Sequence, residues 1–126
     1  MLFDEYQAEA LRTARPETLD RALLIRALGL CGEAGEAAEV VKKAIGHGHP
    51  LDREKLKKEI GDLLWYAATL ADAAGLSLDV CASENVRKLR ERYPNGFSVA
   101  DSMERRDVNS LEKFAAREAG FNHHER

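Results

Sequence analysis

Residues that staple, kink or anchor a chain are scarce here. There are two cysteines, three prolines and 6% aromatic residues in 126 positions. Two cysteines are too few for a disulfide framework. Cys31 and Cys81 each sit among apolar neighbours in a helical pattern, so both read as small buried hydrophobes in a reducing compartment. No apolar run approaches the ~20 residues that a bilayer span needs, and Met1-Leu2-Phe3 passes straight into Asp4-Glu5 without a signal-like segment. The chain is therefore expected in the cytoplasm, with no membrane partner. An excess of one charge is missing as well. The formal net charge is −3 and the pI about 5.8, which gives no pull toward nucleic acid. An anionic small ligand would need a bound cation or a local basic cluster. β-Branched residues are sparse and no alternating run is sustained, which argues against half-buried strands.

What remains is helix-forming sequence. Alanine, leucine, glutamate, lysine and arginine dominate, with 44% apolar and 33% charged residues, an ordinary soluble composition in a chain of one domain's length. The spacing predicts a short helix over Phe3–Ala14, broken by Pro16. A long helix over Leu19–Ile45 is stopped by Gly46-His47-Gly48-His49-Pro50. A third helix covers Asp52–Ala74, with Asp52 as N-cap and Gly75 as its stop. A fourth, over Leu78–Arg92, is capped by Ser77 and ended by Pro94-Asn95-Gly96. Ser98–Arg106 and Ser110–Ala119 read as short helices, and the last seven residues carry no packing pattern. Short connections imply antiparallel neighbours. The expected fold is all-α: an antiparallel bundle of about four main helices over residues 1–98, with a helical extension and tail over 99–126, completed by assembly into a homo-oligomer.

Two of these helices carry the same chemical device. Glu33-Ala34-Gly35-Glu36 and Glu59-Ile60-Gly61-Asp62 each place two acids at i, i+3, on one side of a helix. At about 100° per residue, Ala34, Ala37, Val40, Val41, Ala44 and Ile45 share one apolar arc. Glu33 lies inside that arc and Glu36 about 60° away. Leu56, Ile60, Leu63, Leu64, Ala67, Leu70 and Ala74 form the corresponding arc of the third helix, bordered by Glu59, with Asp62 about 60° outside. Two such faces packed together gather four carboxylates. Four like charges at a half-buried site repel and are poorly solvated, and a hard divalent cation removes that cost. Oxygen-only ligands favour Mg²⁺, with Mn²⁺ as a substitute. A solvated acidic face is the competing reading of such pairs. A di-iron site would require a Glu-x-x-His pair, which these acids lack.

The string Leu28-Gly29-Leu30-Cys31-Gly32-Glu33-Ala34-Gly35-Glu36-Ala37-Ala38-Glu39 leads to a resemblance. Together with Glu59-Ile60-Gly61-Asp62-Leu63-Leu64-Trp65-Tyr66 and Asn85-Val86-Arg87-Lys88-Leu89-Arg90-Glu91-Arg92-Tyr93-Pro94-Asn95-Gly96-Phe97, it resembles the MazG-like family of all-α nucleoside triphosphate pyrophosphohydrolases. Phe3-Asp4-Glu5-Tyr6-Gln7 is similar to the opening of that family's single-domain branch. The resemblance spans roughly residues 3–98. It implies a helical bundle assembled as a homodimer or homotetramer. It also implies Mg²⁺ held by Glu33, Glu36, Glu59 and Asp62, and hydrolysis of a nucleoside or deoxynucleoside triphosphate to the monophosphate and pyrophosphate. Gly32 stands where the fuller family motif has another acid.

Other residues follow from position. Asn85, Lys88 and Arg92 form one donor face of the fourth helix, a solvated basic stripe by spacing alone and a triphosphate contact by resemblance. Lys42 and Lys43 suit a helix C-terminus regardless of function, and Lys43 is the candidate phosphate contact. Tyr66, one turn after Asp62, either stacks on a base or sugar or serves as a core tyrosine. Trp65 points away from its helix's apolar arc, toward an oligomer interface or a base pocket. His47 and His49 read as parts of a mobile turn. Glu36, and after it Glu39, are the candidates to orient or deprotonate the attacking water. The rival function is a non-catalytic helical module that binds a nucleotide or metal in an oligomer.

Overall fold

A computed structural model describes residues 1–108. Within them the helix-forming bias is realised as α1 (Phe3–Leu11), α2 (Leu19–His47), α3 (Arg53–Ala73), α4 (Leu78–Arg92) and α5 (Val99–Glu104). Among the described residues no strand forms, and one isolated bridge joins Pro94 to Gly96. No described helix is long and apolar enough to cross a membrane.

The helix ends follow local chemistry. α1 stops at Leu11, short of the expected Ala14, because the next residues form a turn in which the Thr13 hydroxyl donates to the Ala10 carbonyl. α2 runs two residues past Ile45, to His47. It ends at Gly48, whose φ of 72° is the left-handed conformation glycine tolerates best. Asp52 caps α3 as expected, its carboxylate accepting from the Lys55 N–H at 2.9 Å. Ser77 accepts from the Val80 N–H at 3.2 Å and opens α4. Ser98 caps α5 in the same way, and left-handed Arg105 ends it at Glu104, two residues before the expected Arg106. The helix expected over 110–119 lies outside the described residues.

The chain divides into two units, Met1–Cys81 and Ala82–Arg126. In the first, α2 and α3 run antiparallel and α1 packs on α3. Their shared core is made of small residues: Ala10, Ala22, Val40, Ala68 and Ala71. Small side chains bring the backbones close, and polar side chains then tie helix to helix. The buried Gln7 amide donates to the carbonyls of Ala68 and Leu76, both at 3.1 Å, and its carbonyl accepts from the Leu78 N–H at 2.9 Å. Buried Arg26 donates to the Thr69 carbonyl at 2.8 Å.

Three expectations are corrected here. Trp65 does not point to an open interface. α1 covers it, and its indole N–H donates to the Ala10 carbonyl at 3.1 Å and to the Thr13 hydroxyl at 2.8 Å. Cys31 and Cys81 are free and exposed rather than buried; for Cys31 the reason is that α3 covers only one side of α2. For the same reason the apolar arc of α2 is covered at Val40 but open at Val41 and Ile45.

In the second unit, Arg92 grips Asp107. Two guanidinium nitrogens donate to the carboxylate at 2.8 and 2.5 Å, and Asp107 is 3% exposed. Tyr93 packs on Phe97 with ring centroids 5.5 Å apart.

Candidate metal centre

The centre is a level in the α2–α3 seam. Antiparallel helices meet turn by turn, one counted upward and the other downward. Arg26 meets Thr69. One turn on, the Gly29 backbone meets the ring of Tyr66. One further turn brings Glu33 to Asp62, with Glu59 beside them. One carboxylate oxygen from each of Glu33, Glu59 and Asp62 can be chosen so that all lie within 4.8 Å of one another. Glu59 is buried, Glu33 half-buried and Asp62 exposed, so the cluster has a protein-covered side and an open side.

Electrostatics show the cost of that arrangement. The Glu33 carboxyl is raised above its ordinary value by desolvation first, then by the charges of Glu36, Asp62 and Glu59. Lys55 leans toward Glu59, but its ammonium stays 3.9 Å from the carboxylate, beyond hydrogen-bonding distance. Hard oxygen donors crowded at one point, partly exposed and weakly compensated, fit a hard divalent ion such as Mg²⁺ or Mn²⁺.

The remaining candidates are placed as follows. Glu36 is exposed, one turn beyond Glu33. It stands outside the trio, although its charge acts on Glu33. Glu39 is engaged by Lys42 and by Lys43, the latter at 3.4 Å, and these ammonium groups hold its carboxyl below its ordinary value. That is the wrong direction for a general base near neutral pH. Tyr66 is half-buried, its ring against Gly29 and edge-on to Trp65 with centroids 4.9 Å apart. Asn85, Lys88 and Arg92 belong to the other unit. Asn85 and Lys88 are exposed, whereas the Arg92 guanidinium is taken up by Asp107.

Three neighbours of the centre escaped the sequence reading. The Tyr6 hydroxyl lies 3.4 Å from the Gly61 carbonyl, and its phenol is raised by burial and then by the charge of Asp62. Spacing along one helix cannot show that α1 crosses α3 at this level. Gly29 is the second, for the same reason. Lys55 was legible as the i−4 neighbour of Glu59.

An all-helical unit whose two longest described helices bring Glu33, Glu59 and Asp62 together defines the class: a helical protein with a carboxylate cluster between two helices. The chain belongs to the MazG nucleotide pyrophosphohydrolase family, whose domain matches residues 23–97. That span contains Glu33, Glu36, Glu59, Asp62, Tyr66, Asn85, Lys88 and Arg92. The chain is also similar to the Gene 37 protein of Mycobacterium phage L5, with 37% identity over 73 residues. This match covers 55% of the chain and 64% of that relative, so the chain spans a little under two thirds of the relative's length. No solved structure matches the chain.

Proposed function

We propose that this protein hydrolyses a nucleoside or deoxynucleoside triphosphate to the monophosphate and pyrophosphate, with Mg²⁺ as cofactor and Mn²⁺ as a substitute. The convergence of Glu33, Glu59 and Asp62 carries the reading, because three carboxylates with an open side are the kind of donor set that a hard divalent cation takes. Membership in a nucleotide pyrophosphohydrolase family supports it.

In this reading Glu33, Glu59 and Asp62 hold the ion, and Glu36 completes the set or supports it from the open side. A bound ion would supply charge neutralisation at the phosphates and a more acidic water. Glu36, exposed and free of the lysine pairing that occupies Glu39, orients that water and accepts its proton. The water oxygen forms a bond to the α-phosphorus. The bond from that phosphorus to the bridging oxygen breaks, and pyrophosphate leaves with the electron pair. Tyr66 flanks the centre on the side that would meet the nucleoside.

The test is incubation of the full chain with a panel of ribo- and deoxyribonucleoside triphosphates plus Mg²⁺, reading pyrophosphate and monophosphate. Release is expected with Mg²⁺ and lost on chelation. Glu36→Ala and Asp62→Ala should each abolish it while helical circular dichroism stays unchanged. Full activity in either variant would sink this assignment of roles.

A further inference from the structure

We propose that Tyr6 is a positioning residue of the carboxylate centre: α1 holds its hydroxyl beside Asp62, where it steadies that carboxylate for a divalent cation. This rests on reading the cluster as a cation site. The acid pairs come from α2 and α3, so Tyr6 makes a third helix part of the centre.

The two faces of α3 place the phenol. Gly61, Trp65 and Ala68 recur at i, i+4 and i+7 and form the face that α1 covers. Tyr6 reaches the Gly61 carbonyl, Trp65 donates to the Ala10 carbonyl, and Gln7 donates to the Ala68 carbonyl. Glu59, Asp62, Tyr66 and Thr69 form the face toward α2. At about 100° per residue, with Gly61 at zero, the α1 face runs from about −20° to about +40°. Asp62 then lies at about +100° and Glu59 at about +160°. Of the two α3 acids, Asp62 is the one nearer α1, and it is the acid whose charge acts on the phenol.

The backbone that carries Tyr6 is fixed on α3. Gln7, the next residue, is buried and bonded to the carbonyls of Ala68 and Leu76 and to the Leu78 N–H. Leaving such buried groups unpaired is costly, so α1 resists sliding. Tyr6 also lines a cavity of about 200 Å³ with Met1, Leu2, Phe3 and Leu64. Those side chains carry no oxygen or nitrogen, so the partners for the hydroxyl lie on α3. Its contact with the Gly61 carbonyl is long, 3.4 Å against about 2.7–2.8 Å for an ordinary O–H···O bond. A bond that weak leaves the proton free to turn to a stronger acceptor, and a carboxylate is one. An Asp62 oxygen that accepts from Tyr6 leaves the other oxygen for the ion and fixes how the carboxylate faces it. A ligand oriented in advance loses less freedom on binding.

Mn²⁺ titration of the full chain, followed by electron paramagnetic resonance of the free ion, tests this without turnover. Tyr6→Phe keeps the ring and removes only the hydroxyl. It should weaken Mn²⁺ binding about tenfold or more, the scale of losing the partner of a metal ligand. Its urea midpoint without metal should stay close to that of the wild type. Thr13→Ala removes the hydroxyl that accepts from Trp65 and so loosens the far end of α1. It should lower the urea midpoint and leave Mn²⁺ binding unchanged. Wild-type Mn²⁺ binding in Tyr6→Phe would overturn the role of Tyr6 and leave the cation reading intact. An equal loss of binding in Thr13→Ala would assign the effect to α1 docking and overturn that role as well. A wild type that takes up no Mn²⁺ would remove the cation reading itself, and this role with it.

Discussion

At Gly29 an added Cβ would stand 2.1 Å from Tyr66 Cε1, inside the ring's own van der Waals surface. At Gly32, three residues along the same helix, an added Cβ meets nothing within 4 Å. The two glycines separate packing from helix propensity. Gly32→Ala should stabilise the protein by about 0.5–1 kcal/mol, through the lower unfolded-state entropy of alanine. Gly29→Ala should destabilise it by about 1–3 kcal/mol, because either the ring or the helix must shift. Urea unfolding of both variants measures the contrast, and a stabilising Gly29→Ala would show that the ring is not held there. Glu33 lies one turn from Gly29, so a helix pushed outward should also bind Mg²⁺ more weakly. The acid pairs themselves were legible, because i, i+3 spacing fixes which face a carboxylate shares. That the two faces meet across the seam was legible as well, since equivalent faces packed together gather the acids. Which of them converge was not: Glu36, read at about 60° from Glu33, stands outside the trio.

At the scale of elements, helix positions were readable where a cap or a glycine marks the end. Asp52, Ser77 and Ser98 each cap the helix they precede. Which face is covered was less readable, since that depends on which neighbour arrives. α1 and the turn after it claim Trp65 through two hydrogen bonds, whereas Cys31 stays exposed. The clasp between α4 and the residues after α5 was invisible for the same reason: Arg92 reads as a phosphate ligand until Asp107 is seen against it. That clasp makes a pH prediction. Hydrogen bonding to Arg92 holds the Asp107 carboxyl down at about 2, below the ordinary value of about 3.9. A depressed carboxyl contributes stability that is fully present above the ordinary value and is lost as pH falls through the depressed one. Asp107→Asn should therefore melt at lower temperature than the wild type at neutral pH, and the gap should close between about pH 4 and about pH 2. A gap that persists unchanged at pH 2 would assign the effect to packing instead.

At the scale of the molecule, the described residues of a single chain leave an apolar stripe exposed. Leu24 and Leu28, 60% and 63% exposed, continue to exposed Cys31 along one face of α2, and Ile60 and Leu64 are open on α3. The core that the chain closes alone consists mostly of alanine. A second copy is the proposed cover, as the bundle reading anticipated. Light scattering should give a dimer or tetramer of the 14.0 kDa chain. Leu24→Glu/Leu28→Glu should shift it toward monomer, since two carboxylates on the stripe oppose its burial, and a monomeric wild type would refute the assembly. The turn-by-turn seam also governs how this sequence can change length. One residue inserted between Glu33 and Glu36 rotates everything beyond it by about 100°, which dismantles the acid face and every later pairing with α3. The same insertion among the residues joining α2 to α3 leaves both helices in phase and alters only the turn. Gaps are thus forbidden through the helices and permitted at the turn, where length variation would spare the carboxylate cluster.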